Sequence, residues 1–270
     1  MEERSVRIPS GDREIDCYLA IPPHPKTSLP AVVVIHEIFG ADEHIRDVAR
    51  RFAAEGYVGA APNLFSGELQ HILTPPNIAL AMQALAQAPP DLRQDPSKMS
   101  AFIATQPSER RPVLEALGRV RDARAQAGFA RDLVAVTRFL ARLPEVDPER
   151  IGSVGFCFGG GLSARLATQD PELRAAVIFY GQNPPLADVP GIHADVLGLY
   201  ASEDPGITGT VPELEQAMRS AGKHFEHHVY PGAKHAFFND RRPNYHEASA
   251  KDAWPRVLGF FGPRLLPHHA

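Results

Sequence analysis

The chain has 270 residues, 44% hydrophobic and 22% charged, with 28 Lys and Arg against 32 Asp and Glu for a net charge of −4. This near-average globular balance excludes a disordered or collagen-like chain, and the lack of a basic patch excludes a nucleic-acid footprint. Two cysteines, Cys17 and Cys157, are too few for a disulfide framework and fit a reducing compartment better. Residues 1–5 carry no signal-peptide apolar run, and the longest apolar run, 29–35, falls far short of the about 20 residues that cross a bilayer. A cytoplasmic protein without nucleic-acid or membrane partners is expected, as a monomer or small homo-oligomer.

Strand-like and helix-like segments alternate along the chain. Residues 14–21 place Ile15, Cys17, Leu19 and Ile21 on one face at period 2, an early antiparallel strand. Residues 31–35 form a continuous β-branched run, the pattern of a strand buried on both faces of a parallel sheet. Asp42 can cap a helix carrying Ile45, Val48, Ala49 and Phe52, which Gly56 stops. Strands follow at 57–61, 151–156, 175–180, 196–200 and 225–230. Helices are expected from 160, over 212–220 and over 246–261, the last kinked at Pro255.

Alternation of this kind predicts right-handed βαβ units and a mostly parallel, doubly wound α/β sheet, in one domain over residues 1–270. The stretch after Ser66 breaks the rhythm. Pro75-Pro76, Pro89-Pro90, Pro96 and Pro107 divide short helices near 77–86 and 99–103, and residues 112–143 read as one long helix broken at Gly128. This insertion, about residues 66–130, is either a surface elaboration or a helical lid over a pocket at the strand ends.

The most specific motif is Gly155-Phe156-Cys157-Phe158-Gly159, a G-x-C-x-G between a predicted strand and a predicted helix. A sharp strand-to-helix turn lifts the central side chain above the sheet, and glycines are needed where backbones crowd that turn. The helix N-terminus favours a thiolate and offers N–H donors to an oxyanion. Cys157 is therefore the candidate nucleophile, against the plainer reading of a buried inert cysteine. Its base and orienting acid should follow in the order acid, then histidine, each after a later strand. Asp204, with Glu203 as fallback, follows the strand at 196–200, and His235 follows the strand at 225–230. The loop after residues 31–35 should supply a second oxyanion donor, the N–H of Ile38 beside that of Phe158. Glu37, an acid directly after a wholly apolar strand, needs compensation there, from an arginine if its role is structural.

Four motifs together resemble the dienelactone hydrolase family of carboxymethylenebutenolidases: His36-Glu37-Ile38-Phe39-Gly40, the Cys157 turn, Tyr200-Ala201-Ser202-Glu203-Asp204 and Tyr230-Pro231-Gly232-Ala233-Lys234-His235-Ala236-Phe237. The resemblance covers about residues 5–65 and 130–262. It implies an α/β-hydrolase fold, a Cys157–His235–Asp204 triad, no metal or organic cofactor, and hydrolysis of a small-molecule ester or lactone. It also implies that Glu37 helps form the thiolate. Where the family's dienelactone-opening members place an arginine four residues after the histidine, this chain has Asn239, with Arg241 and Arg242 beyond. Phe39, Phe237, Arg241 and Arg242 are accordingly expected around the substrate. Rival readings are an aryl ester or phosphotriester hydrolase on the same triad, a non-catalytic binding protein on this scaffold, and a thiol redox protein. The last lacks a C-x-x-C.

Overall fold

The computed structural model describes residues 1–23, 27–89 and 95–266. Eight strands form one sheet in the order β1-β2-β4-β3-β5-β6-β7-β8. The strands are β1 (Glu2–Ser10), β2 (Arg13–Ile21), β3 (Leu29–Ile35), β4 (Val58–Pro62), β5 (Val146–Phe156), β6 (Ala175–Phe179), β7 (Asp195–Ala201) and β8 (Phe225–Tyr230). Pairs β1–β2 and β2–β4 are antiparallel and all the others parallel. This is the α/β-hydrolase arrangement expected above. Strand β1 was not anticipated: its side chains are mostly polar, and Ile8 alone is fully buried. It forms by pairing residue for residue with β2 around a turn at Gly11, whose φ is 61°. Cross-strand hydrogen bonds hold it, with little hydrophobic signal to read in advance.

Helices cover both faces: α1 (Glu43–Ala54) and α10 (Glu247–Leu265) on one, and α6 (Ala123–Leu140), α7 (Phe158–Gln169) and α9 (Val211–Ser220) on the other. The residues of β3 from Ala31 to Ile35 are wholly buried between the two apolar layers, which is why their sequence is uninterrupted by polar residues. Asp42 caps α1 by accepting the Ile45 N–H at 3.3 Å, and the chain reverses at Gly56 with φ 89°. Helix α10 runs on through Pro255 and Pro263 to Leu265, longer than expected.

The insertion folds as α2 (Glu68–Ile72), α3 (Pro75–Gln87), α4 (Pro96–Thr105) and α5 (Arg111–Arg119), the last joined to α6 by a short turn; a four-residue helix, α8 (Pro205–Thr208), follows Asp204. Ile78 and Ala81 of α3 and Val113, Leu114, Ala116 and Leu117 of α5 join the same apolar layer as α6 and α7. Pro90 and the tail residues His268 and His269 lie outside the described residues.

The long helix expected over 112–143 is two helices, and the break is at residues 120–122 rather than at Gly128. Asp122 decides this: its carboxylate accepts the Ala125 N–H at 2.7 Å, starting a new helix where the old one would have continued. Gly128 sits within α6, whose buried Phe129, Leu133, Val136 and Leu140 outweigh the poor helix propensity of one glycine. Two substitutions should therefore move stability in opposite directions. Asp122→Ala should cost about 1 kcal/mol through the lost cap. Gly128→Ala should stabilise by about 0.5–1 kcal/mol, since its added Cβ meets only the Arg131 guanidinium, at 3.8 Å. Urea midpoints of the two variants test the assignment, and reversed signs would place the break at Gly128.

Candidate active site

The parallel register brings one end of the sheet into line. Ile35 pairs with Gly155, Phe156 with Phe179, and Ala201 with Tyr230. The loops that leave these strands carry Glu37 and Ile38, Cys157, Tyr180, Asp204 and His235, so residues far apart in sequence meet at the carboxyl edge of the sheet.

Cys157 occupies the single residue between β5 and α7, at φ 54° and ψ −113°. The turn is as tight as the glycine pattern requires. A Cβ on Gly155 would lie 1.9 Å from the Gly159 carbonyl oxygen, and one on Gly159 would lie 2.3 Å from that of Ile35. The thiol is free and half-buried, whereas Cys17 is fully buried, where desolvation pushes its thiol far above the usual range.

His235 faces Asp204, with Nδ1 2.5 Å from Oδ2. The Cys157 side chain lines the same cavity and acts on the imidazole from the other side of the site. Burial works against an imidazolium here, but the hydrogen bond to Asp204 and the negative charges of Asp204 and Cys157 outweigh it, raising His235 to about 10. Glu203, the alternative acid, is exposed and turned toward the Ser202 hydroxyl. The residue at the mouth of β7 that reaches the histidine is Asp204.

Glu37 is buried and forms no ion pair with an arginine among the described residues, the Arg242 charge acting on it only from a distance. Oε2 accepts the Asn239 amide N–H at 2.6 Å, and Oε1 accepts the Tyr180 hydroxyl at 3.4 Å. Burial pushes its carboxyl pKa up, and the Asn239 hydrogen bond opposes this only in part. Tyr180 was not anticipated, although it directly follows β6 on the same edge. It is fully buried at φ 39°, its ring centroid is 5.2 Å from that of His235, and burial together with Glu37 and Cys157 holds its phenol well above the ordinary range. His36 was also not anticipated. Nδ1 donates to the Glu37 carbonyl at 2.6 Å and Nε2 accepts the Leu64 N–H at 3.1 Å. Burial lowers its pKa to about 4, so a neutral imidazole ties the loop after β3 to the loop after β4.

A cavity of about 350 Å³ opens over these groups. Cys157, His235, Ile38, Phe158 and Tyr180 line its floor. Arg121 and Gln126, from the region where α5 passes into α6, close one side, so the inserted segment forms part of the wall. The backbone N–H groups of Ile38 and Phe158 donate to no acceptor among the described residues. The other expected pocket residues lie elsewhere. At Ala236, φ 66°, the chain turns inward and buries Phe237 among Phe179, Tyr180 and Tyr230. It resurfaces toward α1, where Arg241 is exposed and Arg242 stacks its guanidinium 3.6 Å over Phe39 and faces Asp42 at 3.7 Å. Phe39, Phe237, Arg241 and Arg242 are thus outside the cavity wall. Among the described residues, no cluster of three or more His, Cys, Asp or Glu is arranged to hold a metal ion, and no helix is long and apolar enough to cross a membrane.

Comparison with known proteins places this geometry. The profile of the dienelactone hydrolase family matches residues 15–265. A protein of Saccharolobus solfataricus named "Putative carboxymethylenebutenolidase" is 37% identical over 96% of this chain and 97% of its own length. One of Escherichia coli K12 with the same name is 34% identical over 94% and 84%. A crystal structure described as a "Putative Dienelactone Hydrolase" from Klebsiella pneumoniae superposes with a TM-score of 0.72 at 32% identity, covering 97% and 98% of the two chains. A metagenomic "Dienelactone Hydrolase-like Promiscuous Phospotriesterase" shares the fold at a TM-score of 0.73 and 22% identity, covering 97% and 98%.

Two measurements probe this geometry. Gly159→Ala should lower stability by at least about 2 kcal/mol, because its Cβ meets backbone that cannot swing away. The raised His235 pKa means that the folded state binds a proton the unfolded state releases near 6.5. Its stabilising contribution is complete below pH 6.5 and is lost as pH rises through about 10. Urea midpoints between pH 6 and 10 should therefore fall less steeply in His235→Gln than in the wild type, and parallel profiles would contradict the pairing.

Proposed function

The chain belongs to the dienelactone hydrolase family, whose members are ester and lactone hydrolases, and we propose that it hydrolyses small esters or lactones through a Cys157–His235–Asp204 triad. The observation that carries this reading is the juxtaposition of a thiol on a strained strand-to-helix turn, an imidazole oriented by a carboxylate, and two unoccupied backbone N–H groups around one cavity.

On this reading His235 holds the proton of Cys157 and leaves a thiolate, which the N-terminus of α7 further favours. The sulfur attacks the carbonyl carbon. The oxygen, now an oxyanion, is held by the N–H groups of Ile38 and Phe158. Collapse of the tetrahedral adduct breaks the C–O bond of the ester. The departing alkoxide takes the proton from His235 and an acyl-thioester remains. His235, neutral again, draws a proton from water as the hydroxide adds to the thioester carbonyl. The second adduct expels the thiolate and releases the acid. Asp204 keeps the imidazole in the orientation that faces sulfur. Glu37, poised beside Tyr180, assists formation of the thiolate. The helices after Ser66 act as a lid that limits access of water, supported by the position of Arg121 and Gln126 on the cavity wall.

A panel of a dienelactone, a neutral lactone, p-nitrophenyl esters and an aryl phosphotriester tests the proposal. Cys157→Ala should lose at least about a thousandfold in kcat/KM on the preferred substrate, and an acyl-enzyme mass adduct should form in the wild type but not in the variant. Equal rates in the two proteins would remove Cys157 as nucleophile.

A further inference from the structure

The hydrolysis proposed above depends on the direction of two backbone N–H groups, and a buried side chain outside the triad holds the first of them. His36, the residue that follows β3, is fully buried. Its ring meets the Glu37 carbonyl at Nδ1, 2.6 Å away, and the Leu64 N–H at Nε2, 3.1 Å away. A backbone N–H can only donate, so Nε2 must be the bare nitrogen and the proton of the neutral ring sits on Nδ1. The Leu64 backbone, in the loop after β4, thereby sets the tautomer with which His36 holds Glu37.

The Glu37 carbonyl and the Ile38 N–H belong to one planar trans peptide and point in opposite directions. Fixing the oxygen therefore fixes the hydrogen. A second donor reaches the same oxygen, the Gly40 N–H at 3.2 Å, which closes a turn over residues 37–40. The His36 contact is the shorter of the two, and its ring is itself held from the sides. Phe65 meets it edge-on at 4.8 Å between centroids, and Phe158 stacks on it at 6.0 Å. Phe158 carries the other N–H of the pair. With the His36 pKa lowered to about 4 by burial, the ring stays neutral and keeps one tautomer across the neutral pH range.

We infer that His36 is a positioning residue: by holding the Glu37 carbonyl from Nδ1, it aims the Ile38 N–H at the oxyanion of the tetrahedral adduct. This role rests on the ester-hydrolase reading above. His36 stands behind the cavity wall rather than in it, so it acts through the peptide it holds and not on the substrate. The negative oxygen develops only on the way to the adduct, so the contribution falls on kcat rather than on KM.

Two substitutions separate the two hydrogen bonds. His36→Gln puts a side-chain oxygen where Nε2 accepts the Leu64 N–H and leaves the Glu37 carbonyl to Gly40 alone. His36→Asn puts an amide N–H where Nδ1 donates and abandons Leu64. On the panel ester that the wild type cleaves best, kcat should fall by about tenfold to a hundredfold in His36→Gln, with KM nearly unchanged, as befits a misaimed oxyanion donor. His36→Asn should recover most of that loss. Urea midpoints should follow the opposite order, because His36→Asn leaves the buried Leu64 N–H unpaired. The same order for kcat and midpoint would mark a merely structural role and overturn the inference, as would equal kcat in His36→Gln and the wild type. Iodoacetamide should alkylate Cys157 at one rate in all three proteins, since a thiolate needs no oxyanion donor. Slower alkylation in His36→Gln would trace the loss to the thiol and also overturn it. If neither variant folds, long-range proton–nitrogen NMR spectra of the wild type decide: a protonated Nδ1 with a bare Nε2 supports the role, and the reverse tautomer overturns it. A wild type that cleaves no ester of the panel would remove the hydrolase reading and this role together, whereas an active wild type unaffected by His36→Gln would remove this role alone.

Discussion

The site depends on one close contact between backbones. At Gly159 the first turn of α7 presses against the carbonyls of Ile35 and His36 so tightly that a methyl group would lie 2.3 and 2.5 Å from their oxygens. Through this contact the end of β3 fixes where α7 begins. The position of α7 in turn fixes the Cys157 side chain and the Phe158 N–H relative to the Ile38 N–H. The Cys157 thiol and two backbone N–H groups on different loops therefore behave as one rigid piece, the condition for electrostatic preorganisation in the proposed reaction.

Rigidity at the contact allows strain elsewhere. Among the described non-glycine residues, positive φ occurs at Cys157, Tyr180 and Ala236, and all three stand at this edge of the sheet. Such conformations cost of order 1–3 kcal/mol each and persist where surroundings over-determine them. Here those surroundings are visible. The Cys157 N–H bonds the Phe179 carbonyl, the Tyr180 N–H bonds the Leu199 carbonyl, and the turn at Ala236 delivers Phe237 and Phe238 into the aromatic layer. The apolar core on the α1 and α10 side stabilises the very turns that aim Cys157 and His235.

Much of this arrangement is legible in the sequence, because it rests on local patterns. A β-branched run, a G-x-C-x-G turn and the order of nucleophile, acid and histidine each point to a position on one sheet edge. What is not legible depends on where the chain goes after a turn. Nothing in the string Ala236-Phe237-Phe238 announces that φ 66° sends the aromatic residues inward and leaves Arg241 and Arg242 on the far side. Arg121 shows no motif at all; it reaches the cavity only because Asp122 ends one helix and starts another. Tyr180 and His36 act through hydrogen bonds whose partners are remote in sequence. β1 escapes notice because its pairing is made by backbone atoms that every sequence possesses.

The environment of Glu37 has a thermodynamic consequence. Its carboxyl is buried, its partners are a neutral amide and a phenol, and its proton affinity is already elevated. A negative charge arriving in the cavity above raises that affinity further, whereas a neutral guest changes it little. Occupancy by an anion and uptake of a proton from the medium are therefore linked, each promoting the other to the same degree. The heat of anion binding would then vary with the ionisation enthalpy of the buffer, making this buried acid an internal reporter of the charge of whatever fills the cavity.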